Sequence, residues 1–196
     1  MPDFIYLASQ SPRRRQLLEQ MGIRYELLLA GPEEDAELLE RAMPGEAPLT
    51  YVKRVTQLKL EAAVKRRQAR NLPSAPVLCA DTTVALGRDI LGKPENEQDA
   101  VRILKTLSGQ THRVLTAVAV GSGRRRLLNV SVSKVSFAPM KLSEIKAYVA
   151  TGEPIGKAGA YGIQGLAAAH ISAIQGSYTG IMGLPIFETA QLLNKI

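Results

Sequence analysis

Cysteine is almost absent: Cys79 is the only one in 196 residues. An intrachain disulfide is therefore excluded, and so is a zinc site built on cysteines. There are two histidines, His112 and His170, and they form no metal-ligand spacing. Tryptophan is missing and aromatics make up 5% of the chain, which speaks against a single-strand nucleic-acid binder that stacks bases on aromatic platforms. No stretch approaches the roughly 18 apolar residues of a membrane span. The first residues, Met1 to Ser9, lack a basic region, and their apolar run is short for a secretory signal, so a cytoplasmic location is expected. Neither a phosphate-binding Gly-x-x-x-x-Gly-Lys-Ser/Thr loop nor a Gly-x-Ser-x-Gly nucleophile elbow occurs.

What is present is positive charge. Lys and Arg number 25 against 18 Asp and Glu, a formal net charge of +7. That balance invites an anionic partner: nucleic acid, a membrane surface or a polyphosphate. Basic clusters fall at Arg13 to Arg15, Lys65 to Arg67 and Arg124 to Arg126; the last two read as solvated surface. The length suits one domain spanning 1–196, with or without two lobes, and allows a core that needs no staples.

Periodicity and punctuation predict a mixed α/β protein. Phe4 to Ala8 reads as a strand. Ser11 then caps a helix with Pro12 in its first position and Gly22 at its end. Tyr25 to Ala30 reads as a second strand, and the acidic stretch from Gly31 to Pro48 as mostly loop. Tyr51, Val55, Leu58 and Ala62 recur at helical spacing, which predicts a long helix from Pro48 to Arg70 with those four on its inner face. Val77 to Leu86 is a near-continuous strand, turned at Gly87-Arg88-Asp89 into Ile90 and Leu91. A helix from Pro94 to Leu107 follows. Val114 to Val120 and Leu127 to Phe137 predict an antiparallel hairpin. The apolar parity changes between Val132 and Val135, which predicts a bulge near Ser133-Lys134. Ser143 is expected to cap a further helix, and Gly183-Leu184-Pro185 to open the last one.

Several residues carry chemistry. Three arginines, Arg13, Arg14 and Arg15, stand in the first turn of a helix whose N-terminus is already positive. A docked anion reverses that conflict, because backbone N–H groups and guanidinium forks both take phosphate; the plain alternative is solvated side chains. Asp81 lies inside an apolar strand, where a carboxylate needs a partner. It either binds a divalent metal or activates water, or it makes a structural hydrogen bond at a strand end. Lys59 falls within the apolar sector of the long helix, and either snorkels outward or faces a phosphate. Lys93 precedes a helix start and can reach a phosphate, or can be an ordinary loop lysine. Glu33, Glu34 and Asp35 follow a strand, where they either join Asp81 around Mg²⁺ or Mn²⁺ or form an acidic loop. The block Lys157 to Gly165 carries three glycines that permit close backbone approach to a ligand, and Gln164 offers a donor and an acceptor to a base edge. It can also be no more than a turn.

Taken in order, Leu7-Ala8-Ser9-Gln10-Ser11-Pro12-Arg13-Arg14, Ala80-Asp81-Thr82, Leu107 to His112, Lys157 to Gly165 and Gly183-Leu184-Pro185 resemble the Maf family of nucleotide pyrophosphatases over nearly the whole chain. The resemblance implies a two-lobed mixed sheet with flanking helices, similar to inosine triphosphate pyrophosphatases, and an active-site cleft between the lobes. It implies metal-dependent hydrolysis of dTTP and UTP, or of modified pyrimidine triphosphates, to the monophosphate and pyrophosphate. Asp81 matches the family's proton acceptor, with Lys59 and Lys93 beside it. Arg13, Thr82 and Gln164 match positions that mark the dTTP/UTP branch against a sister branch suited to 7-methyl-GTP. Ser9, Arg14 and Lys157 match further substrate positions, and Asp81 and Glu33 would hold Mg²⁺ or Mn²⁺. A homodimer is implied, with no stable nucleic-acid complex and no membrane association. One departure stands out: the family's usual aspartate before Lys157 is Gly156 here. That change leaves room for a rival in which the chain senses a triphosphate without hydrolysing it. The net charge alone supports a second rival, a nucleic-acid-binding module, whose affinity would fall steeply with salt.

Overall fold

A computed structural model describes residues 2–31, 34 and 38–196 of the chain. The expected strand, helix, strand opening is present. Strand β1 (Ile5–Leu7) is fully buried, and it leads through Ser11 into helix α1 (Pro12–Gln20). The Ser11 hydroxyl accepts from the Arg14 amide, and Pro12 occupies the first helical position, where a missing N–H costs nothing. Gly22, at φ +68°, turns the chain into strand β2 (Tyr25–Leu27), parallel to β1.

A short 3₁₀ turn (Leu38–Glu40) precedes the long helix α2 (Pro48–Ala69). Its inner face is set by Tyr51, Val52, Val55, Thr56, Leu60, Ala63 and Val64. Leu58 does not belong to it: 40% of its surface is exposed. The buried face is centred on Val52, Thr56 and Ala63, and at 3.6 residues per turn Leu58 falls well round the helix from that centre. Strand β3 (Val77–Leu86) keeps its expected limits and turns at Gly87 into β4 (Asp89–Leu91). Asn96 caps α3 (Glu97–Leu107), accepting from the Asp99 amide, so this helix starts three residues later than Pro94 predicts. The hairpin is β5 (Thr111–Ser122) and β6 (Arg125–Phe137), followed by α4 (Leu142–Val149). Ser143 lies inside the first turn of α4. The cap position is Lys141, whose backbone N–H donates to Glu144, so the expected serine cap is displaced by an acidic one. The chain closes with β7 (Ile171–Gln175), the five-residue helix α5 (Tyr178–Met182) and α6 (Ile186–Leu193).

The predicted bulge at Ser133-Lys134 is not formed. The register between β5 and β6 is unbroken from Thr111↔Ser136 to Ser122↔Arg125. Ser131, Ser133, Val135 and Phe137 all face inward, and Val132 is 49% exposed. Serines hold inward positions because α5 packs too closely for larger side chains: a Cβ on Gly180 would lie 3.2 Å from the Ser131 hydroxyl. The Ser133 hydroxyl is satisfied there by the Ser177 backbone, donating to its carbonyl at 3.2 Å and accepting from its amide at 2.9 Å. An irregularity does occur one step later, between Ser136 and Phe137 against β7.

Among the described residues, seven strands form one mixed sheet ordered β2-β1-β3-β5-β6-β7, with β4 also on β3. Strand β3 is the junction. Along one edge it pairs with β5 from Val77 to Ala85. Along the other edge, β1 pairs only with Val77 and Leu78, and β4 only from Val84 onward. Among the described residues, 79–83 therefore have no strand neighbour on that side, and the sheet forks around them. Alternation sends Val77, Cys79 and Asp81 toward α2, and Leu78, Ala80 and Thr82 toward α1 and α5. The packing agrees: Cys79 sits with Leu60, Ala63 and Val64 of α2, while Leu78 and Ala80 sit with Leu17, Leu18 and Met182. A separate cluster of Val84, Ile103, Leu104, Ile145 and Tyr161 fills the far arm of the fork.

Candidate active site

The fork opens into a cavity of about 620 Å³. Asp81 and Thr82 lie on its floor, one on each face of β3. Ser9, Arg13 and Arg14 wall it from the β1–α1 junction, Lys59 and Arg66 from α2, Glu40 and Lys93 from the loops, and Lys157 from the glycine-rich segment. Six cations thus meet two carboxylates among the described lining residues, a surplus suited to a polyanion.

Asp81 is 8% exposed, and its carboxylate does have a partner. The Lys59 ammonium donates to Asp81 Oδ1 at 2.6 Å and to Glu40 Oε1 at 2.7 Å. Lys93 donates to the other Glu40 oxygen at 2.8 Å. The four groups form a chain: Asp81, Lys59, Glu40, Lys93. Burial works to raise the Glu40 carboxyl, but the two ammonium groups outweigh it and hold it below its ordinary value. The Glu40 backbone is fixed in turn by the Tyr51 hydroxyl, which donates to its carbonyl at 2.8 Å. Burial, with Asp81 and Glu40 nearby, pushes that phenol up to about 12.

The arginines of α1 part company. Arg14 is enclosed and committed: Nε donates to the Gly183 carbonyl at 2.8 Å, Nη1 to the Ser9 hydroxyl at 3.0 Å, and Nη2 approaches the Thr82 hydroxyl at 3.5 Å. Burial pulls its guanidinium below the ordinary arginine value, opposed by the charge of Asp81. Arg13 gives only its Nε, to the Met182 carbonyl at 3.2 Å, so its two terminal nitrogens bond no described residue. Arg15 is absent from the cavity wall. Arg66, expected as solvated surface, is instead largely enclosed against the site. It forks onto Glu34 with two bonds of 2.6 Å and donates to the Leu28 carbonyl at 2.8 Å. That geometry places Arg66 between the β2 end and α2, where its planar fork finds both a carboxylate and an orphan carbonyl.

The glycine-rich segment folds as a tight wall. Gly159, at φ +71°, presses onto Val84, and a Cβ there would come within 2.9 Å of that side chain. Lys157 donates to the Glu153 carbonyl, and burial together with Arg13 lowers its ammonium below the ordinary value. The Glu153 carboxylate braces the same segment, accepting from the Tyr148 hydroxyl at 2.8 Å and the Leu166 amide at 2.9 Å. Gly156 has φ +74° and faces open space. An aspartate there would meet no neighbour but would hold a left-handed backbone that L side chains rarely adopt, so glycine leaves no gap and relieves that strain.

One cavity therefore gathers Ser9, Arg13, Arg14, Lys59, Asp81, Thr82, Lys93 and Lys157. Gln164 is exposed on a turn just past the lining residue Ile163 and is not itself part of the wall. Glu33 lies outside the described residues. Glu40 joins this cluster without being singled out by the sequence; its only local signal is one more acid in an acidic loop. Beneath the floor, Cys79 is buried and its thiol is pushed up to about 12 by that burial. No three of His, Cys, Asp or Glu converge among the described residues. No helix among them is long and apolar enough to cross a membrane.

Residues 4–196 match the family described as Maf-like protein. The chain belongs to the Maf family. This Maf chain is 62% identical over 191 residues to a protein of a Polaromonas species named dTTP/UTP pyrophosphatase, covering 97% of this chain and 95% of that one. A protein of the same name from Albidiferax ferrireducens is 63% identical over 195 residues, covering 100% and 98%. Another from Burkholderia mallei is 57% identical over 192 residues, covering 97% and 92%. Among solved structures, the Staphylococcus aureus Ham1 protein aligns with a TM-score of 0.43 and 13% identity, over 70% of this chain and 73% of that one.

Proposed function

We propose that this Maf-family chain hydrolyses dTTP and UTP, and modified pyrimidine triphosphates of the same edge pattern, to the monophosphate and pyrophosphate. The observation that carries the reading is the Asp81–Lys59 contact at the fork of the sheet, inside a cavity whose other charges are mostly cationic. Relatives named dTTP/UTP pyrophosphatase, 57–63% identical over nearly the whole chain, support the same substrates.

Arg13, Lys93 and Lys157 bind the phosphate tail, Arg13 through the terminal nitrogens that no described residue uses. Arg14 holds Ser9 and Thr82 in place. Asp81 accepts the proton of a water that attacks the α-phosphorus. The new bond is water oxygen to phosphorus, and the bond that breaks joins that phosphorus to the oxygen bridging it to the β-phosphate. Pyrophosphate leaves with its charge held by the cations, so the work is positioning and electrostatic stabilisation. Lys59 keeps Asp81 aligned through the contact at 2.6 Å.

Lys59 and Lys93 already engage both Glu40 oxygens and one Asp81 oxygen, so Asp81 Oδ2 is the carboxylate oxygen of this cluster that no described residue engages. Hard divalent cations in nucleotide sites take one or two carboxylates plus substrate phosphates. Asp81 would hold Mg²⁺ or Mn²⁺, and the metal would supply Lewis-acid neutralisation of the phosphates. Glu33 remains a further candidate ligand by its motif position.

The test is pyrophosphate release from a panel of nucleoside triphosphates that includes modified pyrimidines, with and without chelator. Asp81→Asn should lower turnover by roughly 100-fold or more while sparing nucleotide binding, the scale of a lost general base. Undiminished turnover would remove Asp81 from the chemistry. Tight nucleotide binding by the unaltered chain, with no product over hours, would favour a non-hydrolysing sensor instead.

A further inference from the structure

Thr82 and Thr116 face each other across the β3–β5 pair, with their hydroxyl oxygens 3.0 Å apart. The direction of that hydrogen bond follows from a third group. Thr116 Oγ1 lies 2.7 Å from the Gly180 carbonyl oxygen. Two oxygens that close need a proton between them, and a carbonyl has none to give. The single Thr116 proton therefore goes to Gly180. With it spent, Thr116 can only accept from Thr82, so the Thr82 proton points into the protein. Arg14 Nη2 approaches the same Thr82 oxygen as a donor, which agrees with this polarity.

We infer that Thr116 is a positioning residue that fixes the Thr82 hydroxyl as an acceptor-only group at the cavity floor, so that the site favours a ligand atom that donates. The inference rests on the pyrimidine-triphosphate reading above and deepens it. Uracil and thymine carry a donating N–H at ring position 3, where cytosine has a bare lone pair. An oxygen without an available proton accepts from the first and repels the second. The lock is well built: Thr116 is 1% exposed, and the Gly180 carbonyl also accepts from the Gly183 amide at 3.0 Å. Removing the Thr116 hydroxyl therefore leaves that carbonyl paired but frees the Thr82 proton to turn toward the cavity.

Thr116→Val keeps the shape and removes the hydroxyl, and Thr116→Ser keeps the hydroxyl. The measurement is the ratio of kcat/KM for UTP to that for CTP, two substrates of equal charge and nearly equal size. Thr116→Val should lower the ratio by about tenfold, the scale of one hydrogen bond, while Thr116→Ser retains it. A merely structural role would lower both substrates together and leave the ratio unchanged, and that result overturns the inference. Should the valine variant fail to fold, Thr116→Ala carries the same expectation. If the unaltered enzyme shows no preference for UTP over CTP, the substrate reading itself fails, which is a separate outcome from an intact preference that Thr116→Val leaves untouched.

Discussion

Lys59 on α2 reaches Asp81 in the middle of β3, ammonium nitrogen to carboxylate oxygen at 2.6 Å, across 22 residues of sequence. The contact settles two questions that the residues leave open separately: the lysine does not snorkel to solvent, and the aspartate is not a bare strand end. Each explains how the other is tolerated in a mostly buried place.

Replacing Lys59 by Met leaves Asp81 without that partner. Unfolding free energy should fall by about 1–3 kcal/mol, less than for a fully buried pair because both side chains keep some solvent contact. Combining it with Asp81→Asn should restore part of the loss. Urea denaturation of the two single variants and the double variant measures the coupling, and strict additivity would deny it.

Glu40 gives a pH signature. Its carboxyl lies below the ordinary 4.5, despite burial, because Lys59 and Lys93 favour the charged form. Such a group contributes its stability fully above the ordinary value and loses it as pH falls below. Glu40→Gln should therefore flatten the acid limb of the stability curve below about pH 4.5. Glu34 and Glu46, also held low by arginines, should leave a residual slope.

His112 acts in a different window. Burial lowers its imidazole from 6.5 to about 4, so the folded state keeps it neutral while the unfolded chain takes a proton. Its contribution is complete above pH 6.5 and is lost as pH falls from 6.5 toward 4. His112→Phe, which retains stacking on Phe137, should remove that slope. Urea midpoints at pH 7 and pH 5 should then converge relative to the unaltered chain. The variant also frees the Tyr161 hydroxyl, now 2.8 Å from Nε2, so it should be less stable at pH 7.

Gly159→Ala places a methyl against Val84 in backbone that suits glycine. A loss of about 1–3 kcal/mol is expected from that strain, with reduced turnover because Lys157 lies two residues away. Adding Val84→Ala should relieve the contact but not the backbone penalty. Thermal denaturation of the single and double variants separates the two.

Much of this architecture is legible in the chain because local chemistry dictates it. Ser11-Pro12 opens a helix by supplying a cap and a preset φ, and the long apolar run to Leu86 has no state open to it except a central strand. The misplaced positive charge at Arg13 and Arg14 and the lone carboxylate of Asp81 point to a site for the same reason: each is costly without a partner. What stayed hidden depends on neighbours far along the chain. Ser131 and Ser133 look outward-facing until the close approach of α5 is known, so the expected bulge was an error of reading polarity as exposure. Arg66 looked solvated because Glu34 and the Leu28 carbonyl come to it only on folding. Glu40 is marked only as one more acid in an acidic loop and Thr116 not at all, since one bridges two lysines and the other faces a carbonyl 64 residues away.

The solitary thiol has a practical corollary. Cys79 is sealed between the sheet and α2 and holds its proton far above neutrality. Alkylating dyes should leave the native enzyme unlabelled, so that incorporation counts only molecules whose central strand has come away from the long helix. The chain thus carries its own chemical gauge of opening, usable without any engineered probe.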